Sequence, residues 1–337
     1  VSGESRRFLM LSICLLGSLG TALASLVMTP FTIIKMTQLY LGYSTGEPVE
    51  IPLREKKLPR AFAAVIAFAV LACLGGAALL NGFFDEAFPV RISVDVIAHR
   101  GGGNEGAENT VSGLGAAIEL GAWGSEIDIQ RTADGAYVVV HDNDFERVAG
   151  VAARPQELTL AEVRQLSVAG EPVPTLEEML EAARGNIILF VELKGATADR
   201  QMADDVVRII REAGMLDQCV LISLSYEIID YIETNYPEVQ TGFLAFASYG
   251  DLGELNCDYI ALEELSATAD AMAAIHLQGR GVLVWTVNGE ESQRHFLRSE
   301  ADAIITDDIV QAERVRRELE NRSDLERVVD ALLTGLS

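Results

Sequence analysis

Two long uncharged runs open the chain, and a regular alternation of short apolar runs with amphipathic periods follows them. Residues 8–28 carry no charge. Neither do residues 61–84, where Asn81 is the only strongly polar side chain. Each run reaches the roughly 20 residues that a helix needs to cross a hydrocarbon core about 30 Å thick. Both are therefore read as transmembrane helices. A cleaved signal peptide competes for the first run, since Arg6 and Arg7 precede it. Its uncharged length exceeds an ordinary signal core, however, and no small-x-small site ends it before Pro30. In the second run Ala69, Cys73 and Ala77, and the pair Ala72 and Gly76, place small side chains four apart, a spacing that lets helices approach closely. The first residue is Val1, so this reading leaves room for further membrane helices upstream.

From residue 94 the period changes. Residues 94–98 read as a strand, and 110–120 as a helix with Val111, Leu114 and Ile118 on one face and Gly121 as its stop. Residues 125–129 form a strand, Asp134-Gly135 a turn, and 137–140 a short strand. Strands then fall at 186–193, 218–223, 239–244, 257–261, 281–287 and 302–305, with helices at 200–213, 226–235, 268–278 and 290–298. Continuous apolar strands between amphipathic helices imply a parallel sheet covered on both faces. About eight such strands suit an α/β (β/α)8 TIM barrel. A doubly wound open sheet is the alternative, although no GxGxxG follows the first strand to mark a dinucleotide site. The domain reading is a membrane segment over residues 1–90, the barrel over 91–312, and a charged C-terminal helix over 313–337.

Charge follows the same division. Residues 1–90 hold seven Lys/Arg against six Asp/Glu, a net of +1, which leaves −25 of the total −24 on residues 91–337. So acidic a domain would repel a phosphate backbone, which excludes nucleic acid as a partner. Arg54, Lys56, Lys57 and Arg60 crowd the start of the second span, whereas Arg91 follows it beside Asp85 and Glu86. The positive-inside rule then makes the chain a multi-pass protein of the cell membrane, with the basic linker cytoplasmic and the barrel outside, an orientation that Arg6 and Arg7 oppose. Cys14, Cys73, Cys219 and Cys257 show no CxxC spacing, so zinc chemistry has little support, and a Cys219–Cys257 disulfide is left open.

Polar groups collect at the C-terminal ends of the early strands, the face where barrels place their sites. His99 and Arg100 end the first strand. Glu126 and Asp128 lie two apart on the second and so point to one side. His141 follows the short strand, and Glu192 and Lys194 end the next, again two apart. Three carboxylates on two strands make an oxygen-rich pocket for a hard divalent cation, Mg²⁺ or Ca²⁺. Two imidazoles beside it suit proton transfer in both directions near neutral pH, and Arg100 and Lys194 suit a developing negative charge. The set fits phosphodiester hydrolysis. Trp285, ending a late strand, is read as a wall of the substrate pocket. His276 and His295 fall on outer helices and are read as surface or packing residues.

In these residues the sequence resembles the glycerophosphodiester phosphodiesterase family. The matches run in order through His99-Arg100-Gly101, Glu108-Asn109-Thr110, Glu126-Ile127-Asp128, Thr132-Ala133-Asp134-Gly135, His141-Asp142, Pro174-Thr175-Leu176-Glu177-Glu178, Val191-Glu192-Leu193-Lys194, Val284-Trp285-Thr286-Val287-Asn288 and Ile304-Ile305-Thr306-Asp307. They cover residues 94–310. The resemblance implies a barrel that hydrolyses glycerophosphodiesters to glycerol 3-phosphate and an alcohol. It assigns His99 and His141 as the acid/base pair, Glu126, Asp128 and Glu192 as metal ligands, and Arg100 and Lys194 as substrate-phosphate contacts. Glu108 and Asn109 frame the first loop. Ala107 stands where the family usually has Pro, which implies a looser loop, and the Gly-rich stretch 101–106 is read as allowing close backbone approach to a phosphate. Two other functions are weighed: a phospholipase D-like attack on lysophospholipids, which apolar residues at the pocket mouth would favour, and a non-catalytic membrane scaffold built on a retired barrel.

Overall fold

A computed structural model describes residues 3–46, 60–84, 92–246 and 252–334. They form two compact units, residues 91–321 and residues 1–90 together with 322–337. In the larger unit nine strands share one sheet: β1 (Asp95–Ala98), β2 (Gly124–Arg131), β3 (Tyr137–Val139), β4 (Ile188–Leu193), β5 (Cys219–Ser223), β6 (Gln240–Ala245), β7 (Tyr259–Glu263), β8 (Gly281–Trp285) and β9 (Ala303–Thr306). Eight of them run parallel in the order β1-β9-β8-β7-β6-β5-β4-β2, and β1 pairs back onto β2 through Ile97↔Gly124. That pairing closes the (β/α)8 barrel and excludes the open sheet, whose edges it removes. Strand β3 adds antiparallel to β2 beyond the Asp134-Gly135 turn.

Alternation along each strand sorts the side chains. Ile97, Phe190, Val220, Ile222, Leu244, Leu283 and Ile305 fill the interior, while Ile127, Ile129, Leu189 and Val191 face the surrounding helices in the outer core. Space inside is shared tightly. A Cβ on Gly124 would lie 2.8 Å from the Phe190 ring, so this glycine is what admits the ring. The helices Val111–Glu119, Leu176–Ala183, Arg200–Glu212, Ala269–Leu277 and Ile309–Glu320 each start at a side-chain cap. Thr110, Thr175, Asp199, Thr268 and Asp308 accept the amide N–H three residues on.

Between β3 and β4 lies an excursion that the periodicity does not announce. It comprises a helix at Glu146–Ala149, another at Leu160–Val163 and a two-residue ladder pairing Ser167–Val168 with Glu171–Pro172. Elements this short carry no readable period. Val138, Val140, Phe145, Val163, Val168 and Val173 give the excursion its own apolar centre.

Among its described residues the smaller unit holds two helices long and apolar enough to cross a membrane, Arg7–Ser44 and Ala64–Gly82. The first helix, Gly3–Thr45, runs past the expected end at residue 28 and contains Pro30. Of the residues beyond Pro30, only Lys35 is charged, so no cluster of charges stops the helix there. Arg54, Lys56, Lys57, Asp85, Glu86 and Arg91, on which the orientation was argued, lie outside the described residues. The C-terminal segment read as one helix is two. Ile309–Glu320 belongs to the barrel, and Asp324–Thr334 belongs to the smaller unit. The break is a Ser-x-x-Glu box. Ser323 N–H donates to Glu326 at 2.8 Å, and the Ser323 hydroxyl starts the new helix. Leu11, Ala77 and Phe84 are buried here with Val328 against them, and Arg7 donates to Asp324 at 2.9 Å. Cys219 and Cys257 are free and buried, so the disulfide left open by the sequence is not formed.

Phe190 is fully buried, and its ring centroid lies 5.6 Å from that of Trp123. Phe190→Ala is expected to destabilise the barrel by about 3–5 kcal/mol. Denaturant unfolding followed by tryptophan fluorescence measures this, and a loss below about 1 kcal/mol would mean that the interior collapses around the gap.

Candidate active site

Register builds the centre of the site. Glu126 and Asp128 are two apart on β2, and Asp128 is the register partner of Glu192 on β4. All three therefore project into the mouth of the barrel from neighbouring strands, about 4.8 Å apart. Ligand oxygens of the three lie within 4.8 Å of one another, and all three residues are buried. Charges this close repel one another, and each surrounding group answers that repulsion. Lys194 places Nζ 3.2 Å from Asp128 Oδ1 and 3.1 Å from Glu192 Oε2. Asn109 donates to Asp128 Oδ2 at 2.9 Å and accepts the Asp128 N–H at 3.2 Å. The backbone N–H of Arg100 donates to Glu126 Oε2 at 2.9 Å.

These donors depend on strained backbone. Arg100 (φ 49°) and Asn109 (φ 55°) both sit in the left-handed region, which costs a non-glycine residue energy and recurs at functional sites. The glycines beside them are required by the packing of the loop itself. A Cβ on Gly103 (φ 59°) would collide with the Asp307 carbonyl, and one on Gly102 with Gly113. The expected loosening at Ala107 is offset by the Thr110 hydroxyl, which donates to the Ala107 carbonyl at 2.9 Å.

The proton affinities follow from burial and charge. Burial, then the charges of Asp128 and Glu192, raise Glu126 well above the usual carboxylate range. Glu192 rises to about 7 for the same reasons, burial first and Asp128 second. Asp128 is held low against its own burial by Lys194, His141 and Asn109. Lys194 is likewise held above its ordinary value against burial, by Asp128 and Glu192.

Both histidines stand at this mouth, each on a carboxylate. His99 Nδ1 is 2.6 Å from Asp307 Oδ1, and Asn288 Nδ2 donates to Asp307 Oδ2 at 2.5 Å. His141 Nδ1 is 2.9 Å from Asp142 Oδ1. A carboxylate only accepts, so Nδ1 carries the proton in both rings and Nε2 is left to the cavity. Burial lowers the His141 pKa. The hydrogen bond from His99 lowers that of Asp307. The one from Arg147 holds Asp142 at about 2.

A cleft of about 190 Å³ joins these groups. His99, Arg100, Glu126, His141, Glu192 and Lys194 line one side. Ile222, Leu224, Leu244, Phe246, Trp285 and Ile305 line the other, with Phe246 and Trp285 in edge contact at 5.1 Å between centroids. The cluster thus brings together His99, His141, Arg100, Lys194, Glu126, Asp128, Glu192 and Asn109, and Trp285 walls the cleft. Glu108 stands outside it, 3.7 Å from Arg100. His276 pairs with Asp302 at 2.9 Å and His295 stacks edge-on against Phe296, both on outer helices. The sequence reading missed the supporting roles of Asp307, Asn288 and Asp142, although all three lie inside quoted motifs. It missed Arg147 altogether.

Comparison with known proteins agrees with this geometry. Residues 99–311 match the model of the glycerophosphoryl diester phosphodiesterase family. A glycerophosphodiester phosphodiesterase of Caldanaerobacter subterraneus subspecies tengcongensis is 26% identical over 227 residues, covering 63% of this chain and 93% of that protein. Mouse glycerophosphodiester phosphodiesterase 1 is 38% identical over 116 residues, covering 31% of this chain and 35% of its own. The crystal structure of a glycerophosphodiester phosphodiesterase from Parabacteroides distasonis superposes with a TM-score of 0.61 at 28% identity, covering 68% of this chain and 98% of that one. With its motifs in order on a closed barrel, the chain belongs to the glycerophosphoryl diester phosphodiesterase family.

Proposed function

We propose that this chain hydrolyses glycerophosphodiesters to glycerol 3-phosphate and an alcohol, using Glu126, Asp128 and Glu192 to hold a divalent cation and His99 and His141 as the acid/base pair. The observation that carries this reading is the meeting of three buried carboxylates and two histidines in one cleft. The carboxylates fit a cation. Glu126 Oε1, Glu192 Oε1 and Asp128 Oδ1 are buried with no hydrogen-bond partner among the described residues, and the Lys194 ammonium lies 3.2 Å from Asp128 Oδ1. An all-oxygen set suits Ca²⁺ or Mg²⁺ over softer metals. Such an ion, when bound, polarises the phosphoryl group and offsets its charge.

The chain's own residues supply the rest. Arg100 Nε is buried without a hydrogen-bond partner among the described residues, as befits a donor waiting for an anion. Together with Lys194 it would bind the non-bridging phosphate oxygens and spread the charge that develops on them. One imidazole, neutral, takes the proton of the attacking oxygen at Nε2 as that oxygen bonds to phosphorus. The phosphorus–oxygen bond to the alcohol breaks, and the other imidazole, which enters as the imidazolium with a second proton on Nε2, protonates the departing oxygen. Asp307 and Asp142 keep each ring turned for that task. The intact set speaks against a retired scaffold. We further propose that residues 1–90 anchor the barrel to a membrane through the two apolar helices, with the barrel on the extracytoplasmic side.

A second reading has its own observation. Leu224 is 41% exposed and Phe246 64% exposed, and both line the apolar half of the cleft. A leaving alcohol that carries an acyl chain would cover them, which extends the substrate class to lysophospholipids.

His99→Ala and His141→Ala are expected to fold and to lose at least about 100-fold in kcat. Wild-type turnover of glycerophosphocholine or glycerophosphoethanolamine by either variant would remove that histidine from the mechanism. Cation binding needs the Glu192 carboxylate, whose pKa of about 7 lies above the ordinary value. A raised carboxylate favours the protonated metal-free fold. Its contribution is full at low pH and fades as pH rises toward 7, so added Ca²⁺ or Mg²⁺ should raise Tm more above pH 7 than below it. Thermal unfolding with and without chelator measures this, and Glu192→Gln should weaken the response. Phe246→Ser should raise KM for a lysophospholipid and leave glycerophosphoethanolamine unaffected. Equal effects on both substrates would remove the second reading.

A further inference from the structure

The excursion between β3 and β4 has an apolar centre of its own, yet none of its residues lines the cleft. One side chain it presents nevertheless touches two residues that support the site. Arg147 lies on the short helix Glu146–Ala149, which Phe145 pins by full burial and Gly150 (φ 72°) closes. All three guanidinium nitrogens are used. Nε donates to Asp142 Oδ2 at 2.6 Å, Nη1 to Glu108 Oε2 at 2.8 Å, and Nη2 to Glu108 Oε1 at 2.6 Å. Each carboxylate has a second cation-capable partner at the cleft. Asp142 holds His141, and Glu108 lies 3.7 Å from Arg100. An isolated surface ion pair is worth little. A forked guanidinium joining two carboxylates fixes geometry as well as charge.

We propose that Arg147 is a positioning residue, through which the excursion sets the orientation of His141 by way of Asp142 and of Arg100 by way of Glu108. The inference rests on the phosphodiesterase reading above. Without Arg147, Glu108 would draw Arg100 out of the cleft and away from the phosphate. Asp142 would also turn its full charge on His141, which otherwise faces Asp128, Lys194 and Arg100. The imidazolium would then persist to higher pH.

The test compares the full wild-type chain with Arg147→Met, Arg147→Lys and Asp142→Asn. It measures kcat/KM against pH on glycerophosphoethanolamine, calorimetric affinity for glycerol 3-phosphate, and Tm as a control on folding. Arg147→Met is expected to lower kcat/KM by about 10- to 100-fold, the usual effect of removing a supporting residue. It should also weaken glycerol 3-phosphate binding and move the pH limb that titrates with His141 upward. Lysine restores the charge but not the fork, so Arg147→Lys should return the limb and leave most of the rate deficit. In the Asp142→Asn background, Arg147→Met should move no limb. A merely structural arginine would lower Tm and leave the limb in place, which would overturn the proposal. So would wild-type rate, limb and affinity in Arg147→Met. If the wild type turns over no glycerophosphodiester, the phosphodiesterase reading fails. The glycerol 3-phosphate titration then decides Arg147 separately, and equal affinity in wild type and Arg147→Met would refute its role.

Discussion

Three acidic side chains held within 4.8 Å of one another at the top of an apolar barrel are the constraint around which the rest of this site is arranged. Burial withholds water from the carboxylates, and proximity adds repulsion. The local groups meet only part of that cost. Lys194 approaches two of the three, Asn109 binds both polar faces of Asp128, and the Arg100 N–H reaches Glu126 only because its backbone is left-handed. One oxygen on each glutamate is still without a hydrogen-bond partner among the described residues. The strain at residues 100 and 109 and the unsatisfied oxygens have the same origin. The strand register that brings Asp128 beside Glu192 is set by the sheet, and the loops have to accommodate it.

How much of this the sequence discloses depends on the length scale of each signal. The carboxylates are legible because strand alternation is exact: two apart on one strand means the same side, and the apolar interior leaves nowhere else for the strand ends to present charge. The barrel is legible because its strands and helices are long enough to carry a period. The excursion is not, since its elements span two to four residues. Arg147 consequently looks like one surface charge among many, although its partners are two motif residues. The protein neighbours of the loop glycines are hidden for a related reason. A sequence shows that Gly102 and Gly103 allow close approach, but not that the approaching groups are Gly113 and Asp307. The break at 321–323 was available as a Ser-x-x-Glu box and was hidden by uniform charge on both sides.

The cleft divides along the same strand order. Its polar wall comes from β1, β2, β4 and the segment after β3, and its apolar wall comes largely from β5, β6 and β8. A closed barrel places these two halves face to face, with Arg100 and Lys194 on one side and Leu224, Phe246 and Trp285 on the other. The interior below is packed with Ile97, Phe190, Val220, Ile222, Leu244, Leu283 and Ile305. What distinguishes the two walls is therefore confined to the last residue or two of each strand and the loop after it. This is the part of a barrel that can vary without altering the packed layers underneath.

The two histidines make the same bond in unlike surroundings. His99 leans on Asp307, whose other oxygen takes a neutral amide from Asn288. His141 leans on Asp142, whose other oxygen takes a cationic nitrogen from Arg147. An amide leaves the carboxylate its full negative charge, whereas a guanidinium neutralises much of it. The two imidazoles are thereby given different counter-charges, at Nδ1–oxygen distances of 2.6 Å for His99 and 2.9 Å for His141. The difference is imposed from outside the cleft, by β8 and its following loop on one side and by the excursion on the other. A barrel whose inner layers are fixed by packing can in this way set the surroundings of its two histidines independently, through residues that do not line the cleft.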